Sequence, residues 1–283
     1  MRDSQPSRTA QRVAMRRAAH QLIDEPRVFD DPLAVAIADR ESGPPSDPQE
    51  PFSRALRAFL AVRSRYAEDQ LACAVERGVR QYVVLGAGLD TFAYRNPFQS
   101  LGLHAFEVDH PATQEWKRAR LRDAGIAIPN GMTFVAVDFE RQSLDAQLER
   151  AGFRRAAPAF FSWLGVTPYL TRPAFDSTVE FIASLPAGSG VAFDYAVERS
   201  HLKPHQQLAL DAMAARVARA GEPFRLFFDP AALANDLARI GFGEIEDLNA
   251  DAINARYFSG RSDGLSVSGG GHLLSAWVSQ QIS

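Results

Sequence analysis

The stretch "RQYVVLGAGLDTFAYRNP", Arg80 to Pro97, decides the reading of the fold. "QYVVLGAG" is an apolar run that ends in glycines, the pattern of a central parallel strand covered on both faces. The turn Gly86-Ala87-Gly88 has no Cβ at two of its three positions, so the main chain there can approach a ligand closely. Asp90 stands where a short helix begins, and the third glycine of a dinucleotide fingerprint is missing.

Downstream of this stretch, six more strand-like runs follow: "LHAFEVDH", "MTFVAVDF", "APAFFSWLGVTPYL", "GSGVAFDYAV", "FGEIEDLN" and "GHLLSAWVSQ". Helical patterns in "PATQEWKRARLRDAG", "RPAFDSTVEFIASL", "QLALDAMAARVARAG" and "PAALANDLARIG" separate most of them. The last of these helices has Asp229 as N-cap and Pro230 at its first position. The alternation predicts an α/β fold with a doubly wound, Rossmann-like sheet of seven strands. No helical pattern separates the last two strands, so the last is expected to run antiparallel.

Upstream, residues 1–78 read as a helical cap. "TAQRVAMRRAAHQLID" can be capped by Ser7 or Thr9, and "PFSRALRAFLAVRSRYAEDQLACAVERG" keeps its helical spacing until Gly78. The Pro-, Gly- and Ser-rich "ESGPPSDPQEP" between them reads as an exposed loop. One domain over residues 1–283 is expected, with the core at 79–283 and a lid near 198–225.

In an open parallel sheet, ligands bind beyond the carboxyl ends of the strands where strand order reverses. Gly86 and Gly88 lie at one such end. Asp109 ends the second strand about 20 positions on, where nucleotide-binding folds grip a ribose diol. Asp138 ends the third and can accept from an adenine amino group, with Phe139 against the ring. A pyrophosphate prefers a bare helix N-terminus, and Asp90 would repel it. S-adenosylmethionine carries no phosphate; its sulfonium and amino group are cationic, and an acidic turn suits it. Its one carboxylate needs a cation, which Arg63 or Arg65 in "AVRSRYAED" can supply. The competing readings are an NAD-dependent oxidoreductase and a cofactor-binding protein without chemistry. Asp109 can also be a helix cap, Asp138 a solvated loop residue, and Arg16 and Arg17 surface charges of the first helix.

Composition narrows the class. The net charge is −3, from 31 basic and 34 acidic residues, which speaks against nucleic acid or an anionic membrane as a general partner. Cys73 is the one cysteine, which excludes an intrachain disulfide and zinc-cysteine clusters; it is expected to be a small core residue of its helix. No metal site is expected. With no apolar run near the roughly 20 residues of a membrane span and no signal pattern, the protein is expected in the cytoplasm. The oligomeric state stays open.

The motifs "VVLGAGLDTFAYR", "FEVDHPATQEWKRARL", "FFSWLGVTPYL" and "YFSGRSDGL", with "SRTAQRVAMRRAAHQLID" and "FDDPLA", resemble the leucine carboxyl methyltransferase family. They are most similar to its bacterial branch of small-molecule and polyketide O-methyltransferases. The resemblance implies a class I methyltransferase fold with a helical cap and S-adenosylmethionine as donor. It maps the methionine carboxylate to Arg63, the turn to Gly86 and Gly88, the ribose to Asp109, and the adenine to Asp138 and Phe139. Members that modify a phosphatase carry a glutamate after the fourth strand; this chain has Leu164, which favours a small-molecule acceptor.

The acceptor is then expected to offer a carboxylate or hydroxyl oxygen. A carboxylate needs no base, whereas a hydroxyl gains from one. His201 and His205 in "ERSHLKPHQQ" are the candidate bases, on the expected lid. Tyr169, Asp194 and Tyr195 at strand ends are expected to line the acceptor pocket, near Phe161, Trp163 and Leu164. Tyr257 and Arg261 can reach the same pocket, Arg261 to clamp an acidic acceptor; the alternative for these two is a packed tyrosine and a loop salt bridge.

Overall fold

The strands that the sequence predicts form a single sheet. A computed structural model describes residues 8–38, 50–138, 142–219 and 221–279. The strands are β1 (Gln81–Leu85), β2 (His104–Asp109), β3 (Met132–Ala136), β4 (Phe160–Trp163), β5 (Gly190–Ala196), β6 (Phe242–Leu248) and β7 (Gly271–Val278). Their order is β3-β2-β1-β4-β5-β7-β6. The first five in this order are mutually parallel, and β7 runs antiparallel to both β5 and β6. The order reverses between β1 and β4, and that places the crevice at the glycine turn.

The helices are α1 (Arg8–Ile23), α2 (Ala34–Ile37), α3 (Pro51–Glu76), α4 (Phe92–Arg95), α5 (Pro111–Asp123), α6 (Leu144–Arg150), α7 (Arg172–Ala183), α8 (Pro204–Arg219), α9 (Pro230–Ile240) and α10 (Ala250–Tyr257). Successive residues of β1 face opposite sides, as the pleat requires. Val83 and Leu85 join Phe106, Phe161 and Phe193 against α7 and α9. Tyr82 and Val84 join Phe160 and Ala192 against Val62, Tyr66 and Leu71 of α3. The long cap helix therefore shares an apolar cluster with the sheet.

Several local expectations hold and others do not. Asp229 caps α9 by accepting from the Ala232 N–H at 2.7 Å, and Gly78 follows α3 with a φ of 94°. Thr9 lies inside α1 and does not cap it; Ser7 and residues 41–49 of the expected loop fall outside the described residues. Cys73 is exposed, because it falls on the outer face of α3 between the buried Leu71 and Ala74. A short helix, α10, does separate β6 from β7. Asn249 caps it at Ala252 N, and Asn254 clamps the main chain of Val267 through both side-chain ends. Its eight residues owe their place to these amide contacts, and their apolar periodicity is too weak to read. Among the described residues no helix is long and apolar enough to cross a membrane.

A buried polar cluster ties the cap together. Arg57 of α3 grips Asp24 with Nε at 2.8 Å and Nη2 at 2.9 Å, and His20 Nδ1 reaches the same carboxylate at 2.8 Å. His20 Nε2 accepts from the Val28 and Phe29 N–H groups, which leaves Nδ1 to donate to Asp24. Burial alone would raise the Asp24 pKa, but the Arg57 and His20 contacts outweigh it and hold it at about 2. Removing one partner of such a pair costs about 3–5 kcal/mol, so Arg57→Ala is expected to lower the melting temperature sharply. Because the folded pKa is depressed, this stabilisation is full above about pH 4 and is lost as pH falls toward about 2. It amounts to about 2 kcal/mol. Acid unfolding of wild type against Asp24→Asn measures it: the wild type should lose more stability than the variant over that window.

Candidate active site

A cavity of about 340 Å³ opens at the reversal point between β1 and β4, bounded by the glycine turn, the ends of β2 and β3, and α1. Gly86 has a φ of 67°, and a Cβ there would stand 2.3 Å from Val166 Cγ2, so the position admits glycine alone. The Gly88 N–H donates to Asp109 Oδ2 at 2.6 Å and the His110 N–H to Asp109 Oδ1 at 2.7 Å. Burial pushes the Asp109 carboxyl above its ordinary value, and the two N–H groups work against that rise. The cap of α5 is His110, whose Nδ1 accepts from Ala112 N; Asp109 instead braces the turn.

Asp90 accepts from the Phe92 N–H at 2.8 Å and lies 3.7 Å from Arg17. Its charge is thus offset from the cap side. Arg17 is buried, donates to Asp31 at 2.5 Å and to Thr91 at 3.2 Å, and lines this cavity. Asp138 lines it too, whereas Phe139 lies outside the described residues. Thr113 of α5 adds a hydroxyl that sequence reasoning missed: Oγ1 is buried in the cavity wall with no hydrogen-bond partner among the described residues.

Of the two candidate arginines, Arg63 is buried and reaches the cavity, while Arg65 is half-exposed and pairs with Asp69 one turn on. Arg63 Nη1 donates to Asp194 Oδ2 at 3.1 Å, and the other carboxylate oxygen accepts from the Gly165 N–H at 2.5 Å. Gly165 has a φ of 71°, and a Cβ there would come within 2.7 Å of the guanidinium. The turn after β4 and the cap helix therefore meet across bare backbone.

A second cavity, of about 710 Å³, shares Thr9, Val13, Arg63, Gly165 and Tyr169 with the first. Its walls are largely apolar, with Phe59 and Leu60 from α3 and Leu210 and Met213 from α8, which occupies the expected lid. Asp194 and Tyr169 line it as expected; burial pushes the Tyr169 hydroxyl up to about 12, and Glu222 adds to the rise. Tyr195 lines it as well, but its hydroxyl donates to Asp247 at 2.7 Å and sits 3.1 Å from His272.

Other candidates are elsewhere. His201 pairs with Asp229 at 2.8 Å, His205 is exposed, and neither lines either of these two cavities. Tyr257 donates to Asp69, and Arg261 pairs with Asp263 and the Pro26 carbonyl; both are packing and loop contacts outside the two cavities. Phe161 and Trp163 are in the core, because β4 turns them toward α7, and Leu164 lines the smaller cavity.

The family model described as leucine carboxyl methyltransferase matches residues 10–183, which carry α1, the glycine turn, Asp109 and the turn after β4. The chain belongs to the leucine carboxyl methyltransferase family. YktD of Bacillus subtilis (strain 168), which bears the name of an S-adenosyl-L-methionine-dependent methyltransferase, is 34% identical over 94% of this chain and 96% of its own length. A relative of similar name in Mycobacterium avium (strain 104) is 34% identical over 66% of this chain and 65% of its own length. Two solved structures share the fold. One is from Thermobifida fusca YX and is described as a methyltransferase, with a TM-score of 0.60, 18% identity, and 98% and 96% of the two chains covered. The other is a protein of family DUF574 from Streptomyces avermitilis, with a TM-score of 0.58, 17% identity, and 98% and 99% covered.

This methyltransferase uses S-adenosylmethionine, and the smaller cavity fits it. The unpartnered Thr113 hydroxyl, the braced Asp109 carboxylate and the glycine turn suit a ligand that offers hydroxyls and cations and needs close approach. Asp109→Ala removes the acceptor for two loop N–H groups and for any ligand hydroxyl. Titration calorimetry with S-adenosylhomocysteine should then show affinity lower by roughly tenfold to a hundredfold, since such bonds are worth about 1.5–3 kcal/mol. Arg65→Ala, at an exposed pair, should leave it unchanged.

Proposed function

We propose that this methyltransferase transfers its methyl group to a carboxylate oxygen of a small, largely apolar molecule held in the larger cavity. The observation that carries the reading is the absence of a ready base among the described lining residues. No histidine lines that cavity. Asp194, the one lining carboxylate, is already held by Arg63 and the Gly165 N–H, and Tyr169 keeps its proton far above neutral pH. A hydroxyl acceptor would lack help in losing its proton, whereas a carboxylate, with a pKa near about 4, is ionised already. The family's description, which names a leucine carboxyl, points the same way.

In this reading Arg63 holds the methionine carboxylate, Asp109 the ribose hydroxyls and Asp138 the adenine amino group. Gly86 and Gly88 bring main chain close, and Asp90 favours the cationic end. When bound, the donor supplies an electrophilic methyl group. The chain's own work is positioning and exclusion of water: α1 and α8 cover the two cavities, Tyr169 can donate to the acceptor at their junction, and a dehydrated carboxylate attacks faster. With a single cysteine, exposed and unpaired, the protein suits a reducing compartment such as the cytoplasm.

Transfer of a labelled methyl group to a panel of metabolites tests this. The product should be an alkali-labile ester, and the rate should be flat from about pH 6 to about pH 8, because the acceptor titrates far below that range. His201→Ala and His205→Ala should stay within about twofold of wild type, as neither touches the cavity. An alkali-stable ether formed with a rate that climbs with pH would reassign the acceptor to a hydroxyl. Tight binding of NAD without binding of S-adenosylhomocysteine would remove the reading altogether.

A further inference from the structure

The positive charge of the larger cavity is not confined to its junction with the smaller one. Helix α1 forms a wall between the two: Ala10, Ala14 and Arg17 line only the smaller cavity, and Arg12, Met15 and Arg16 only the larger. Thr9, Arg12, Val13 and Arg16 follow one another at the three- and four-residue spacing of a single helix face. Helix α8 contributes Arg216 to the same cavity. Arg12 and Arg216 are exposed, so their guanidinium groups belong to the outer part of the cavity, whereas Arg16 is half-buried with its Nη1 closed to solvent. Phe52, 39% exposed, lines the same cavity.

The partners of these arginines set them apart. Arg17 and Arg57 of the cap and Arg95 of α4 each meet a carboxylate. Among the described residues neither Arg12 nor Arg216 has an ion-pair or hydrogen-bond partner. The cavity itself offers them none, since its one lining carboxylate is held by Arg63 and Gly165. Phe59, Leu60, Leu210 and Met213 add apolar wall to the same cavity. A volume of about 710 Å³ accommodates a drug-sized ligand, far more than a single amino acid.

We propose that the acceptor is an elongated amphiphile that is anionic at both ends. One carboxylate is presented at the Arg63–Tyr169 junction for methylation, an apolar body fills the middle, and a second anionic group is held by Arg12 and Arg216 at the rim. The proposal rests on the carboxylate reading above. The second group is defined by its charge and its oxygens; a carboxylate and a phosphate monoester share that chemistry, and guanidinium forks bind both in pairs of hydrogen bonds.

Matched probes test it: a saturated α,ω-dicarboxylic acid, the monocarboxylic acid of equal chain length, and the ω-phosphorylated acid. Binding to the protein saturated with S-adenosylhomocysteine is measured by calorimetry, and labelled methyl transfer is measured in parallel. The doubly anionic acids should bind roughly tenfold or more tightly than the monoacid. That preference should fall with added salt and vanish in Arg12→Gln/Arg216→Gln, two exposed substitutions that leave affinity for S-adenosylhomocysteine intact. The ratio of diacid to phosphate affinities separates the two sources of the anion. Equal affinity for mono- and diacid, no binding of either, or a preference that survives the double substitution overturns the proposal. If both acids are nonetheless methylated equally, the carboxylate reading stands. If the diacid is preferred in binding but no carboxylate is methylated, that reading falls while the anionic rim remains.

Discussion

The ion pair between Arg63 and Asp194 is the constraint on which the rest of the site depends. It joins the middle of α3 to the carboxyl end of β5, and the Gly165 N–H completes the coordination of Asp194 from the turn after β4. Both side chains are nearly closed to solvent, at 9% and 7% exposure, so neither charge can be left alone cheaply. Thr167 Oγ1 donates to the Asp194 carbonyl at 2.6 Å and fixes the same strand end from its other side. The two cavities meet at this pair. A guanidinium held there can serve a carboxylate in the smaller cavity while its partner acid is withheld from chemistry in the larger one.

The cap matters for the same reason. Helix α1 supplies one wall of each cavity, and two buried polar clusters secure its position. His20, Asp24 and Arg57 bind α1 to α3, and Arg17, Asp31, Thr91 and Arg95 bind the cap to the residues that follow the glycine turn. Arg95 is held in turn by Glu68 of α3. Thr9 reaches Glu222 beyond α8, so the start of α1 is tied to the far side of the lid. Geometry this dependent on charge pairs is specific in direction, which suits walls that must present different residues to a cofactor and to an acceptor.

Much of this architecture is legible in the residues. Buried parallel strands announce themselves as apolar runs ending in glycine, and Asp109 and Asp138 fall at strand ends where the fold places ligands. The resemblance points to Arg63, and its burial separates it from Arg65. What stayed hidden depended on tertiary partners. Arg17 and Arg12 are close in sequence on one basic helix, yet one is a buried tether and the other an exposed rim charge. Gly165 and Thr113 carry no motif; only the approach of Arg63 and the cavity wall give them meaning. His201 and Tyr257 looked functional from their chemistry, but Asp229 and Asp69 had already claimed them. Phe161 and Trp163 belong to the core because the pleat turns alternate residues of β4 to opposite faces, and a run as uniformly apolar as this one carries no phase.

The claim that Arg63 stands at the meeting point of donor and acceptor is tested most directly by a crystal structure of the complex with S-adenosylhomocysteine. The account predicts the adenosine moiety between the glycine turn, Asp109 and Asp138. It also predicts the amino-acid carboxylate within hydrogen-bonding distance of the Arg63 guanidinium and the sulfur facing the Gly165–Tyr169 opening into the larger cavity. A homocysteine chain directed away from Arg63, with the sulfur walled off from that cavity by α1, would contradict it.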